Sequence, residues 1–209
     1  MDSAVSLVRT YLQLNGYFVV TEYPVVEAVE GGGTGGTRAL TDLDVLAVRF
    51  PGAGRLVARG GRGGSGKMIG AVDKELGTGN EQVDMIIGEV KQGEAKLNRG
   101  AHDPAVMRAA LARFGACHHG EAQAVVEGLL KRGHAKAPCG HLVRMMVFAS
   151  YVDRSPGKGV QVITLGHIRS FVQRYIRQHW GTLKGAQFSD PAMAFLMMLE
   201  KASRKGGRG

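Results

Sequence analysis

Ile86-Ile87-Gly88-Glu89-Val90-Lys91 decides the reading of this chain, together with its upstream counterpart Thr41-Asp42-Leu43-Asp44-Val45-Leu46-Ala47-Val48. Each is apolar enough to be a buried strand, and each carries charge where a buried strand ordinarily has none. Side chains alternate between faces along a strand, so Glu89 and Lys91 leave the same face at the end of an apolar run. A carboxylate and an ammonium side by side, with a second strand carboxylate at hand, can bind a hard cation, hold a water and stabilise charge developing on a phosphate. A purely structural salt bridge is the bland alternative. It is the weaker one, because burying three charged groups for stability alone is unfavourable.

Working outward, residues 3–14 repeat apolar side chains at helical spacing and meet a stop at Asn15-Gly16, which predicts an amphipathic first helix. Residues 17–23 are aromatic and β-branched and read as a strand that Pro24 brings near its end. Glycines at 31, 32, 33, 35 and 36 form a loop before a second strand over 40–50. A Gly-rich insertion over 51–81 precedes the third strand, 83–91. Asp103-Pro104 predicts an N-cap and first turn for a helix over 105–114, ended by Gly115, and a further helix over 121–131 is ended by Gly133. Strands over 141–150 and 160–165, a helix over 166–180 and a last helix over 192–202 follow, with 203–209 a disordered basic tail. This order predicts an α/β fold in which a mixed central β-sheet is flanked by helices, as one domain over 1–202. The first three strands form an antiparallel meander, and the helical crossover after the third imposes parallel pairing.

Composition narrows the partners. The 209 residues carry a formal net charge of +9, which suits a phosphate-rich partner such as DNA, although a basic soluble protein has the same balance. No apolar run spans a bilayer and no leader pattern opens the chain, so the expectation is no membrane and a cytoplasmic location. Two cysteines are too few to staple a chain this long, in keeping with a reducing compartment.

With these elements in order, the chain resembles the PD-(D/E)XK nuclease superfamily. That resemblance rests on Asp44 within Thr-Asp-Leu-Asp-Val-Leu-Ala and on Glu89-Val90-Lys91, preceded by an amphipathic helix and an aromatic strand. It implies a restriction endonuclease-like core and a metal-dependent DNA endonuclease, of the kind used in Holliday-junction resolution, DNA repair or defence. It also implies that Asp44 and Glu89 bind Mg²⁺ or Mn²⁺, with the Val90 carbonyl as a further ligand, and that Lys91 positions or activates the attacking water. Family habit adds a homodimer. Asp42 lies two residues from Asp44, so either could serve, and Asp44 is preferred because it lies deeper in the apolar run. Many relatives also place a Glu on the first helix; here that helix has none, and Val5 stands at about that position. This departure keeps open a catalytically inactive nucleic-acid-binding module or subunit of the same fold.

Other motifs are more ambiguous. Gln92, Glu94 and Lys96 follow the third strand closely and are either contacts for metal, water or phosphate or solvated turn residues. Gly61–Lys67 superficially matches a phosphate-binding loop, but Met68 stands where a Ser or Thr would hold Mg²⁺. Arg62 and Lys67 are better read as parts of a basic loop touching DNA, or of a solvated linker. Arg169 and Arg177, with Arg174, His179, Trp180 and Lys184, form a basic helical face suited to phosphates or simply to water. Cys117, His118, His119, His134, Cys139 and His141 could supply zinc ligands, yet their spacing matches no familiar zinc knuckle.

Overall fold

Asp2 accepts a hydrogen bond from the Ala4 N–H at 2.7 Å and so starts helix α1, Ser3–Leu14. The computed structural model describes residues 2–29, 36–54, 72–79 and 81–206. Strands β1 (Phe18–Val29), β2 (Gly36–Arg49) and β3 (Asp84–Glu94) follow α1 as an antiparallel meander. Helices α2 (Pro104–Phe114) and α3 (Ala122–Arg132) then cross over. After the three-residue strand β4, His134–Lys136, strand β5 (Leu142–Tyr151) lies parallel to β3. Strand β6 (Gln161–Thr164) leads into α4 (Leu165–Gln178), the short α5 (Trp180–Leu183) and α6 (Pro191–Gly206).

The sheet runs β1-β2-β3-β5-β4, and β6 shares the outer edge of β5 with β4. β4 pairs antiparallel with the start of β5 and β6 parallel with its end. Successive β3 residues explain the layers: Met85 and Ile87 pack with Leu46, Met107, Leu111 and Val125, whereas Ile86 packs with Val8, Tyr11, Phe148 and Ile168. Helices α2 and α3 therefore cover one face, and α1, α4 and α6 the other. The mixed sheet with helices on both faces is the architecture expected from the element order. Among the described residues, no helix is long and apolar enough to cross a membrane.

Some boundaries differ from the sequence reading. β1 continues beyond Pro24 to Val29, which an edge strand tolerates because a missing N–H there breaks no central ladder. Helix α6 runs to Gly206 instead of ending at Ala202, so residues 203–206 are not a disordered tail. Arg204 holds this last turn: its Nε donates to Glu200 Oε1 at 2.8 Å, and its guanidinium lies 4.7 Å from the Trp180 ring centroid. Residues 207–209, and the Gly61–Lys67 motif with Arg62 and Lys67, lie outside the described residues.

A buried ion pair locks the starts of β3 and β5. Arg144 grips both oxygens of Asp84, Nε to Oδ1 at 2.9 Å and Nη2 to Oδ2 at 2.6 Å, and Nη1 donates to the Leu76 carbonyl at 2.9 Å. The Tyr17 hydroxyl donates to the same carboxylate, and burial first, with the Asp84 charge second, pushes that phenol well above its ordinary range. Gly159 fixes a second junction, where the loop before β6 meets the end of α3. Its φ is +72°, and a Cβ there would lie 2.0 Å from the Arg132 carbonyl oxygen, so only glycine fits.

Candidate active site

The β2–β3 ladder ends at the pair Val45 and Gly88. Just beyond it Asp44 and Glu89 come within electrostatic reach, the Asp44 charge acting on the Glu89 carboxyl. Here main-chain pairing gives way to a side chain. The Val90 N–H donates to Asp44 Oδ2 at 2.8 Å, so a carboxylate takes the place a β2 carbonyl would otherwise occupy. In a strand the N–H and C=O of one residue point the same way, so the Val90 carbonyl also faces Asp44.

A kink turns Asp44 toward that position. Val45 and Ala47 pack on the α1 face, yet Leu43, with the same parity, packs on the α2 face. On β1 the residue opposite Asp44 by register is Glu22, whose φ of +55° is uncommon for a side chain other than glycine. Backbone strain of this kind gathers at functional sites. Alternation therefore breaks at Asp44, and the assumption that Asp42 and Asp44 share a face does not carry across the break. Asp42 is exposed and pairs by register with Pro24, while Asp44 is half-buried against β3.

Glu89 is the buried member of the pair, at 6% exposure. Its Oε1 accepts hydrogen bonds from Lys91 Nζ and, at 2.9 Å, from Asn98 Nδ2. Burial pushes the Glu89 carboxyl above its ordinary range and the Asp44 charge adds to the push; the Lys91 and Asn98 hydrogen bonds only partly offset them. Lys91 is half-buried, so its ammonium keeps contact with water while pairing with Glu89. Gly88 lets this edge pack closely, since a Cβ there would lie 3.0 Å from the Phe148 ring and 3.2 Å from Val45 Cβ.

The donor set suits a divalent cation. Among the described residues no donor reaches Glu89 Oε2 or Asp44 Oδ1. No buried side-chain oxygen of the described residues is left without a partner either, so these two oxygens are within reach of water. Two free carboxylate oxygens and one carbonyl, leaving room for retained waters, form a set that Mg²⁺ accepts. A cation there would also offset the burial of the Glu89 carboxylate and the Asp44 repulsion that adds to it. No group of three or more His, Cys, Asp and Glu side chains converges among the described residues, so the candidate rests on this carboxylate pair and the carbonyl.

The remaining sequence candidates are spread more widely. Val5 is buried in the core, so α1 brings no carboxylate into the site at that position. Gln92 instead ties the helix start to β3, its Nε2 donating to both Asp2 carboxylate oxygens at 2.8 and 2.7 Å. Gln92 and Glu94 lie within β3 rather than in a turn after it, and Glu94 pairs with the exposed Lys96 just past the strand end. Glu94 and Lys96 line a cleft of 580 Å³ with Asp153 and Arg154. Arg177 donates to Glu200 at 3.0 Å and so docks α4 on α6, whereas Arg169 borders a mostly apolar hollow with Leu7, Pro191 and Phe195. Cys117 is half-buried, and Cys139 donates its thiol to the Ala116 carbonyl at 3.0 Å. The zinc set does not assemble among the described residues.

Sequence reasoning missed Asn98 and Arg99. They line a cleft of 380 Å³ with Leu40, Thr41 and Asp103, next to the carboxylates. Their positions within Lys-Leu-Asn-Arg-Gly show no periodicity or spacing that would have singled them out.

No protein-family model, curated protein or solved structure matches the chain. What fold and geometry together define is an α/β protein with a mixed six-stranded sheet flanked by helices, carrying a carboxylate pair where two central strands part.

Proposed function

We propose that this chain is a Mg²⁺- or Mn²⁺-dependent deoxyribonuclease with a restriction endonuclease-like core, hydrolysing phosphodiester bonds. One observation carries the reading: just beyond the last β2–β3 pair, Asp44 accepts from the Val90 N–H and its charge acts on Glu89, which Lys91 pairs with. The formal net charge of +9 favours a polyanionic substrate.

A divalent cation bound here supplies a water of lowered pKa and screens the charge of the phosphate. Asp44 Oδ1, Glu89 Oε2 and the Val90 carbonyl are the groups that hold it. Asp44 is kept in place by the Val90 N–H, and Glu89 by Lys91 and Asn98. Lys91, a donor with no lone pair while protonated, orients the attacking oxygen or meets the non-bridging oxygens of the phosphate as they gain charge. Arg99, exposed in the neighbouring cleft, is positioned to meet a flanking phosphate.

The burial of Val5, at about the place where the superfamily the chain resembles often holds a Glu, favours a second reading, an inactive DNA-binding module of the same fold. Incubating the protein with linear, single-stranded and branched DNA, with Mg²⁺, Mn²⁺ or EDTA, separates the two. Metal-dependent cutting that disappears in both Glu89→Ala and Lys91→Ala is the expected result. Salt-sensitive binding with no cutting under either metal would transfer the assignment to the inactive module.

A further inference from the structure

We infer that Asn98 is a positioning residue for the cation site: it selects which oxygen of Glu89 is left free for the metal. The inference rests on the metal-site reading above and adds the group that aims its buried ligand. An amide can present either its oxygen or its nitrogen, and here the choice is already made. Asn98 Oδ1 accepts from the Ala101 N–H at 2.8 Å, which turns Nδ2 toward Glu89 Oε1 at 2.9 Å. Lys91 donates to that same Oε1, so both protein donors converge on one oxygen and leave Oε2 to the open side. The Ala101 N–H belongs to the single turn of 3₁₀ helix Gly100–His102, and this turn packs close against β2: a Cβ on Gly100 would lie 2.9 Å from Thr41 Cγ2. A rigid turn thus sets the amide, and the amide sets the carboxylate. Outer groups that orient a ligand typically alter metal affinity by about 10- to 100-fold.

The test titrates Mn²⁺ into wild type, Asn98→Ser and Asn98→Ala, reading free Mn²⁺ by electron paramagnetic resonance, alongside urea unfolding of each metal-free protein. Serine still offers an oxygen to the Ala101 N–H and preserves the turn, but it is too short to donate to Glu89. Asn98→Ser should keep the wild-type urea midpoint and bind Mn²⁺ about tenfold more weakly; Asn98→Ala should lose both the midpoint and the affinity. Mn²⁺ affinities equal to wild type in both variants would overturn the inference and leave the metal site standing. A wild-type chain that binds no Mn²⁺ would remove the site itself, and the inference with it. Should either substitution lower the midpoint, the Mn²⁺-induced rise of that midpoint becomes the readout, and an undiminished rise overturns the proposal.

Discussion

Glu89→Gln is expected to unfold at a higher urea concentration than wild type near neutral pH while losing about 10³-fold in cleavage rate, the several kcal/mol that a metal ligand contributes. The stability gain follows from the raised carboxyl, whose first cause is burial and whose second push comes from Asp44. A folded-state value above the unfolded one means that the native chain binds more protons over that interval. Stability therefore falls as pH climbs from the ordinary value of 4.5 through the raised one, and the deficit persists above it. Glutamine removes the charge yet still accepts hydrogen bonds from Lys91 and Asn98. Lys91, about one-third exposed, keeps its hydration when the partner charge is gone. Urea unfolding of both proteins from acid to neutral pH checks the argument: the gap should be absent below the ordinary carboxyl value and open above it. A variant less stable than wild type at neutral pH would show that the Lys91 pair outweighs the burial cost. The trade of stability for activity at one side chain is common where a site holds like charges together.

Arg144→Met is expected to cost about 3–5 kcal/mol, because it strands the Asp84 carboxylate, which is 1% exposed, among apolar neighbours. The Tyr17 hydroxyl alone cannot compensate it. Replacing both partners, as Arg144→Met with Asp84→Leu, should recover most of that loss, since two apolar groups leave no unpaired charge. Urea unfolding of the single and double variants gives the coupling directly, and equal losses in both would mean that packing rather than charge dominates. The damage should reach function as well. Asp84 opens the strand that carries Glu89, so loosening its grip on β5 loosens the register that presents the site.

The layered architecture could be read from local signals, each with a physical cause. Asn15-Gly16, Asp103-Pro104, Gly115 and Gly133 punctuate helices because caps and left-handed stops have few chemical solutions. The antiparallel meander and the parallel return followed from what the connections carry, no long helix before β3 and a helical crossover after it. That Asp44 would come to lie against the third strand near Glu89 was also accessible, since both lie on apolar strands of that meander. The rest depended on contacts between distant residues. Nothing local in Val-Asp-Met marks Asp84 as half of a buried pair with Arg144, sixty residues on. β4 is too short for any period to show. The kink at Glu22 and Asp44 is invisible because neither residue signals a turn, and strict alternation was the natural assumption. Asn98 acts through a three-residue turn that no sequence pattern announces.

The Val90 amide has one further consequence. Most protons of a sheet interior are shielded by a neighbouring backbone and exchange only when the sheet opens. This one is held by the Asp44 side chain instead. Its exchange rate is therefore set by the Asp44 rotamer, decoupled from the unfolding of the strands around it, and a single backbone nucleus becomes a native reporter of how firmly that carboxylate is seated.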